Sequence, residues 1–312
     1  MRIATTTGDF VPFASYPLHM QEILPWLKEC GFRHIDLNMY EGDNPDSPLY
    51  GENWAEWTEE TAALAQKLGL DFVQAHGASC WEQDYEARLA LLRRQLHVCK
   101  RLNIPYMVVH AMAEKGDTRR KFIRQNASFY RDLLVTAEET GVAVLTENTC
   151  VTNSPYYYIV NADDFHDLDE AVGHHPLFGM CWDVGHAHIQ GVDQYQEIVS
   201  LGSRLRAVHI HDNMGRKDSP GFMDFHMQPF TGNMNYDAII QGLIDADFKG
   251  TFTLEANALP QPARHLGRKP FEKNGEVCEK LMTLPVAFKL QAETLMHDIT
   301  KYMLEVHDCY EL

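Results

Sequence analysis

The fold can be predicted from one segment, residues 71–110, which reads DFVQAHGASCWEQDYEARLALLRRQLHVCKRLNIPYMVVH. It opens with a short apolar segment (71–76) and closes with another (106–110), and both segments end in histidine. Between them, residues 85–102 carry apolar side chains three and four positions apart, which is the spacing of an amphipathic helix. Two short strands joined by such a helix indicate neighbouring strands of a parallel sheet.

The same alternation of strand and helix continues through the rest of the chain. Six more strands are predicted, at 3–7, 32–39, 142–147, 178–183, 205–212 and 251–256. Two more helices are predicted at 57–69 and 121–141. Gly69, Gly141 and Gly250 come just before strands, where the C-terminal cap of a helix is expected. Eight strands without a Pro/Gly/Ser-rich linker favour the α/β class and a closed (β/α)₈ barrel over an open doubly wound sheet.

We predict a single domain for the whole chain, 1–312. The barrel is expected to cover about 1–256, followed by an extension over about 257–312. This extension consists of a long loop (257–284) and a final helix (285–308). With 312 residues, of which 45% are hydrophobic, the chain can bury a core of this size without disulfides.

Charge and cysteine content limit the classes of partner. The chain has 27 basic and 44 acidic residues, and the resulting net charge of −17 argues against a nucleic-acid or anionic-membrane partner. Seven scattered cysteines without a C-x-x-C pair indicate free thiols and a cytoplasmic location. No apolar stretch is as long as a membrane span, and the first residues do not form a secretory signal. The sequence does not decide between a monomer and a homo-oligomer.

Residues of the types that bind metals lie at the ends of six consecutive predicted strands. They are His76, His110, Glu147, Asp183 with His186, His209 followed by Asp224 and His226, and Glu255. In a barrel these strand ends converge at the C-terminal mouth, where barrel enzymes keep their active sites. A single histidine at a strand end is more often a hydrogen-bonded core residue than a ligand, but six such ends in succession predict a divalent-metal site. Nitrogen and carboxylate ligands suit zinc, manganese or iron. The role of His211 is left undecided.

Five short motifs carry a resemblance to a known family. They are LTEN (145–148), WDVGHAH (182–188), HIHDN (209–213), DFH (224–226) and LEA (254–256). Over roughly residues 1–256 the chain resembles the xylose isomerase-like TIM barrel superfamily. That superfamily contains sugar phosphate isomerases and epimerases as well as DNA-repair nucleases of the endonuclease IV type. The resemblance therefore implies a metal-dependent enzyme with one of two kinds of substrate.

The two branches imply different uses of the same residues. Resemblance to the ketose epimerases implies one metal ion, held by Glu147, Asp183, His209 and Glu255. Glu147 and Glu255 would also be the acid/base pair, and His186 would contact the substrate.

Resemblance to endonuclease IV implies nine ligands for three zinc ions, and all nine have counterparts in this chain. His76, His110 and Glu147 would hold the first ion. Glu147, Asp183, His209 and Glu255 would hold the second, and His186, Asp224 and His226 the third. One to three ions are therefore expected, and a mononuclear site is in doubt.

The sequence near the mouth favours a small substrate. Basic residues there are few, namely Arg216 with Lys217, and Arg264, Arg268 and Lys269. They suffice for one anionic group, and we predict that Arg216 contacts the substrate, whereas a nucleic acid needs a basic track along its phosphates. Trp81 is an aromatic candidate for packing on a sugar face. We predict an isomerase or epimerase that acts on a small carbohydrate-like substrate, with an endonuclease IV-like phosphodiesterase as the alternative. A metal-binding barrel without catalysis is a third possibility.

Overall fold

Eight parallel strands close into a barrel in the computed structural model, which describes residues 1–10, 19–40, 44–79, 84–150, 154–215, 224–257, 268–282 and 284–311. The strands are β1 (Arg2–Thr6), β2 (His34–Asn38), β3 (Asp71–His76), β4 (Tyr106–Val108), β5 (Ala143–Glu147), β6 (Phe178–Asp183), β7 (Leu205–Ile210) and β8 (Thr251–Leu254). Each strand pairs with the next one in sequence, and β8 pairs with β1 in the register Thr253 to Ala4. The predicted (β/α)₈ barrel is confirmed.

Helices surround this barrel. They are α1 (Met20–Glu29), α2 (Trp54–Leu68), α3 (Tyr85–Arg101), α4 (Arg119–Thr140), α5 (Ala162–Val172), α6 (Val184–Gln190), α7 (Gln194–Leu201), α8 (Tyr236–Asp245) and α9 (Val286–Val306). Gly69 and Gly141 adopt left-handed backbone conformations just after α2 and α4, as predicted for C-terminal caps. The prediction for Gly250 is wrong, because α8 ends at Asp245 and is capped by Ala246.

The C-terminal part of the chain departs from the predicted long loop. Two short antiparallel strands, β9 (Phe271–Lys273) and β10 (Glu276–Cys278), form a hairpin within the range 257–284. Helix α9 packs against β1 and α1, and the Thr5 hydroxyl donates a hydrogen bond of 2.7 Å to Glu293 Oε1. This helix therefore closes the ring of helices around the barrel at β1.

Alternation along the strands separates the residues that face the barrel axis from those that face the helices. A small buried cluster from β4 to β7 consists of Val108, Ala143, Leu145, Cys181 and Ala207. Glu147, Asp183 and His209 each lie two residues beyond a member of this cluster, so they share its side of the sheet. Small and apolar side chains thus form a floor beneath the polar residues at the mouth.

None of the helices in the described ranges combines the length and the apolar content that a membrane span requires. The six cysteines within those ranges are free thiols. The predicted cytoplasmic location stays a prediction.

Candidate metal centre

The predicted ligands on the strands lie at one end of the barrel. His76, Glu147 and Asp183 are the last residues of β3, β5 and β6. His209 is the last residue but one of β7, and Glu255 directly follows β8. Because the strands are parallel and neighbouring, these side chains meet at the C-terminal mouth.

The first set, which we call the core group, consists of Glu147, Asp183, His209 and Glu255. One potential ligand atom from each of these residues lies within 4.8 Å of the others. Nδ1 of His209 is 2.9 Å from Glu147 Oε1 and 3.3 Å from Glu255 Oε2. Three carboxylates and one imidazole nitrogen therefore converge on a space that a single divalent ion could occupy.

The second set, the paired-histidine group, shares Glu147 with the core group. His110 lies two residues beyond β4, and its Nε2 is 2.9 Å from Glu147 Oε2. His76 Nε2 is 3.4 Å from the same oxygen. Since Oε1 faces His209 and Oε2 faces the two histidines, Glu147 could bridge two metal positions with one oxygen each.

The third set, the triple-histidine group, consists of His186, His211, Asp224 and His226, whose potential ligand atoms also lie within 4.8 Å of one another. Oδ2 of Asp224 is 3.2 Å from Nε2 of both His186 and His226. All four residues are buried. The nine residues that the sequence predicted as ligands are thus brought together in three adjoining groups.

Hydrogen bonds to backbone carbonyls fix the rings of three of the histidines. Nδ1 of His76 lies 2.9 Å from the carbonyl oxygen of Gly77. Nδ1 of His186 lies 2.9 Å from the carbonyl oxygen of Asn148, and Nδ1 of His226 lies 2.9 Å from that of Glu255. A carbonyl oxygen can only accept, so Nδ1 carries the proton in each ring. In the neutral ring Nε2 then has a free lone pair, and in all three residues it is the nitrogen that faces a carboxylate. Such support by a backbone carbonyl is typical of metal-binding histidines.

Asn148 of the LTEN motif connects β5 to β6 at this site. Its side-chain oxygen accepts a hydrogen bond of 2.7 Å from the backbone N–H of Asp183, and its Nδ2 donates to the Asp183 carbonyl at 2.9 Å. The Asp183 carboxylate in turn accepts from the backbone N–H of His186 and caps α6. Two of the sequence motifs are therefore one hydrogen-bonded unit that fixes Asp183.

Neighbouring histidines lower the pKa of two carboxylates of the site, Glu147 and Asp224. Burial by itself raises the pKa of Glu147, but His209 and His110 outweigh burial and hold this pKa well below its usual range. Burial is likewise outweighed at Asp224, whose pKa is held well below its usual range by His226 and His186. Ionised carboxylates are the form that binds a metal ion, so the donor set fits a divalent cation.

His211 belongs to the site although the sequence left it undecided. Its Nε2 is 3.1 Å from both carboxylate oxygens of Asp183, and its ring stacks on that of His226 with centroids 3.9 Å apart. The signal was its position two residues after His209, since residues two apart along an extended chain point to the same side. The ring also lies against Gly185, where an added Cβ would be 2.0 Å from it.

Both predicted substrate contacts, Arg216 and Trp81, lie outside the described residues, as do Lys217 and Arg264. Arg268 is exposed and donates a hydrogen bond to the Leu281 carbonyl.

Two proteins related in sequence cover most of this chain. The protein y4fM of Sinorhizobium fredii is 24% identical over 274 residues, which are 77% of this chain and 82% of y4fM. A probable endonuclease 4 of Geobacter sulfurreducens is 23% identical over 235 residues, 67% of this chain and 76% of that protein. A probable endonuclease 4 is therefore among the proteins similar to this chain in sequence, and an epimerase-like protein is among those similar in fold.

Solved structures share the fold over nearly the whole length. A D-tagatose 3-epimerase-like protein superimposes with a TM-score of 0.71 and 15% identity over 98% of both chains. The IOLI protein, solved with a zinc atom, superimposes with a TM-score of 0.69 and 15% identity over 97% of this chain and 99% of its own. The family model described as xylose isomerase-like TIM barrel matches residues 24–269. The chain belongs to the xylose isomerase-like TIM barrel family.

Proposed function

We propose that this protein is a metal-dependent isomerase or epimerase that moves a proton next to the carbonyl group of a small carbohydrate-like substrate. The observation that carries the proposal is the pair of carboxylates, Glu147 and Glu255, that converge on one nitrogen of His209. They come from strands separated by β6 and β7, so they reach the same space from different sides of the barrel.

The two glutamates differ in accessibility. The Glu255 side chain is 14% exposed and that of Glu147 only 2%. A substrate that enters from the mouth therefore meets Glu255 first. We assign Glu255 and Glu147 as the acid/base pair, in which one carboxylate removes the proton and the other returns it.

His186 was predicted to contact the substrate. Its side chain is 6% exposed, and its Nε2 is turned towards Asp224 at 3.2 Å. We therefore propose that His186 is a ligand of the triple-histidine group and that its Nε2 faces a metal ion instead of the substrate.

The mixed imidazole and carboxylate donors of the core group suit zinc or manganese. When bound, such an ion supplies Lewis-acid chemistry to a carbonyl and its neighbouring hydroxyl, which acidifies the intervening C–H bond. His209 and His110 keep the Glu147 carboxylate ionised, and burial of this side chain excludes water from it. The adjoining groups would raise the count from one ion to as many as three.

A phosphodiesterase of the endonuclease IV type is the second candidate. It is favoured by the presence of all three ligand groups and by the relative named as a probable endonuclease 4. Clustered divalent ions suit phosphodiester hydrolysis. The net charge of −17 opposes it, because a duplex binder needs a basic track along the phosphates.

Exchange of substrate hydrogen with solvent separates these candidates. The zinc- or manganese-loaded protein is incubated in D₂O with a panel of ketoses and ketose phosphates, and deuterium uptake is followed by NMR. We expect uptake at the carbon beside the carbonyl, loss of uptake with chelator, and a decrease of about 100-fold or more in Glu255→Gln. The exposed Glu276→Gln serves as the control and should exchange normally.

The same preparations are tested on duplex DNA that contains an abasic site. Efficient chelator-sensitive cleavage without exchange on any sugar would reverse the ranking of the two candidates. A protein that binds metal but shows neither activity would favour the third possibility, a barrel without catalysis.

A further inference from the structure

The orientation of the His209 ring determines which of its nitrogens can bind a metal. Nδ1 faces Glu147 at 2.9 Å and Glu255 at 3.3 Å, so Nδ1 is the nitrogen that the core group offers. A neutral imidazole has one N–H and one lone pair. If Nδ1 supplies the lone pair, Nε2 must carry the hydrogen and needs an acceptor.

A carboxylate stands on the Nε2 side of this ring. Oδ2 of Asp36 is 3.9 Å from His209 Nε2, and both side chains are at most 1% exposed. Nε2 of His209 and Oδ1 of Asp36 are both buried atoms without a hydrogen-bond partner. Unpartnered buried donors and acceptors are rare in proteins, and these two atoms belong to side chains that approach each other through Asp36 Oδ2.

Asp36 sits on a rigid part of the barrel wall. It lies in the middle of β2, in register with Thr6 of β1 and Gln74 of β3. The Gln74 side-chain oxygen accepts a hydrogen bond of 3.2 Å from Thr253 on β8, which ties this layer together across the interior. Bulk water cannot stabilise the Asp36 carboxylate, because this side chain is only 1% exposed. The carboxylate therefore needs partners within the protein.

The thiol of Cys181 also contacts the His209 ring and is the alternative to Asp36 as the acceptor of the Nε2 hydrogen. A neutral thiol is a weak acceptor, whereas a carboxylate is a strong one. The Cys181 thiol is therefore the natural comparison for Asp36.

We propose that Asp36 is a positioning residue that accepts the Nε2–H of His209, fixes the tautomer of this ring and so presents Nδ1 to the metal. This inference rests on the proposed core group. A carboxylate behind a metal-binding histidine also makes the ligating nitrogen more basic. Asp36 is not a member of the three ligand groups.

The test measures zinc affinity by chelator competition on the full chain. We expect Asp36→Asn, which keeps an acceptor but loses the charge, to weaken zinc binding about 10-fold, and Asp36→Leu to weaken it about 100-fold. Cys181→Ala should bind zinc as the wild type does. Equal unfolding midpoints of the metal-free proteins would exclude a general loss of structure.

A second readout follows the proton itself. In ¹⁵N-labelled zinc-loaded protein, the His209 resonances are identified by their absence in His209→Gln, and we expect the proton on Nε2 with Nδ1 bound to zinc. Unchanged affinity in both Asp36 variants, or zinc on Nε2, would overturn the inference. If His209→Gln keeps the full metal content, the core group itself is wrong. If only His209→Gln loses an ion, the core group stands and the role of Asp36 falls.

Discussion

At the scale of single residues, the motifs combine ligands with the positions that make room for them. WDVGHAH contains Asp183 and His186, but its Gly185 is equally necessary, because the His211 ring occupies the space where a Cβ would be. Asn213 of the HIHDN motif donates a hydrogen bond of 2.9 Å to the Gly185 carbonyl and holds the two segments together. The close approach of β7 to the start of α6 therefore depends on this one glycine.

Gly185→Ala tests that dependence. An added Cβ would meet His211 Cε1 at 2.0 Å, and this ring is fully buried and contacts Asp183 and His226. We expect a loss of about 1–3 kcal/mol in the free energy of unfolding and a lower metal content. The measurements are denaturant unfolding and metal analysis. Gly51→Ala is the control, since a Cβ there meets nothing within 4 Å. Wild-type metal content and stability in Gly185→Ala would contradict the packing described for His211.

The sequence predicted which residues gather at the mouth, because the rule of strand ends needs only strand positions. His76, Glu147 and Asp183 end their strands as expected. It missed Asp36, which lies inside a strand whose neighbours are known only once the barrel is closed. An acidic residue flanked by two apolar ones, as Asp36 is by Ile35 and Leu37, can indicate a buried partner but does not show which one.

At the scale of elements, α9 shows what a local pattern cannot reveal. The sequence predicted the helix at 285–308 but treated it as an extension outside the barrel. In the structure Lys289 of this helix is fully buried, with Nζ 2.6 Å from Glu293 Oε2 and 3.6 Å from Asp9 Oδ2. Burial raises the pKa of Asp9 to about 8, although the neighbouring Lys289 ammonium opposes this shift. This cluster joins α9 to the end of β1.

Lys289→Met tests whether the cluster holds α9 in place. The change leaves a buried glutamate without its cation, and we expect a loss of about 3–5 kcal/mol in the free energy of unfolding. The control, Lys301→Met, removes a half-buried lysine of the same helix that pairs with Glu305, and it should cost about 0.5 kcal/mol or less. Denaturant unfolding measures both. Equal small losses would show that α9 is held by its apolar contacts alone.

At the scale of the whole molecule, the three ligand groups connect consecutive strands from β3 to β8. The paired-histidine group joins the ends of β3 and β4 to β5, the core group joins β5 to β8, and the triple-histidine group joins α6 to the segment after β7. Bound ions would therefore act as cross-links around most of the barrel mouth. A ligand that binds only the folded chain stabilises it, by about 2.7 kcal/mol at a concentration one hundred times its Kd.

The last prediction concerns metal removal and the number of ions. Chelation should lower the unfolding temperature, because the buried carboxylates lose the cations that compensate them. The double change His76→Ala with His110→Ala should lower the metal content by about one ion and leave the core ion in place, since its four ligands are untouched. Metal analysis per chain and thermal unfolding with and without chelator measure these effects. His174→Ala with His175→Ala, a pair remote from all three groups, is the control.

An unchanged metal content in the first double variant would assign His76 and His110 to contacts with Glu147 or the substrate. Loss of every ion would show that the three groups bind metal only as one unit.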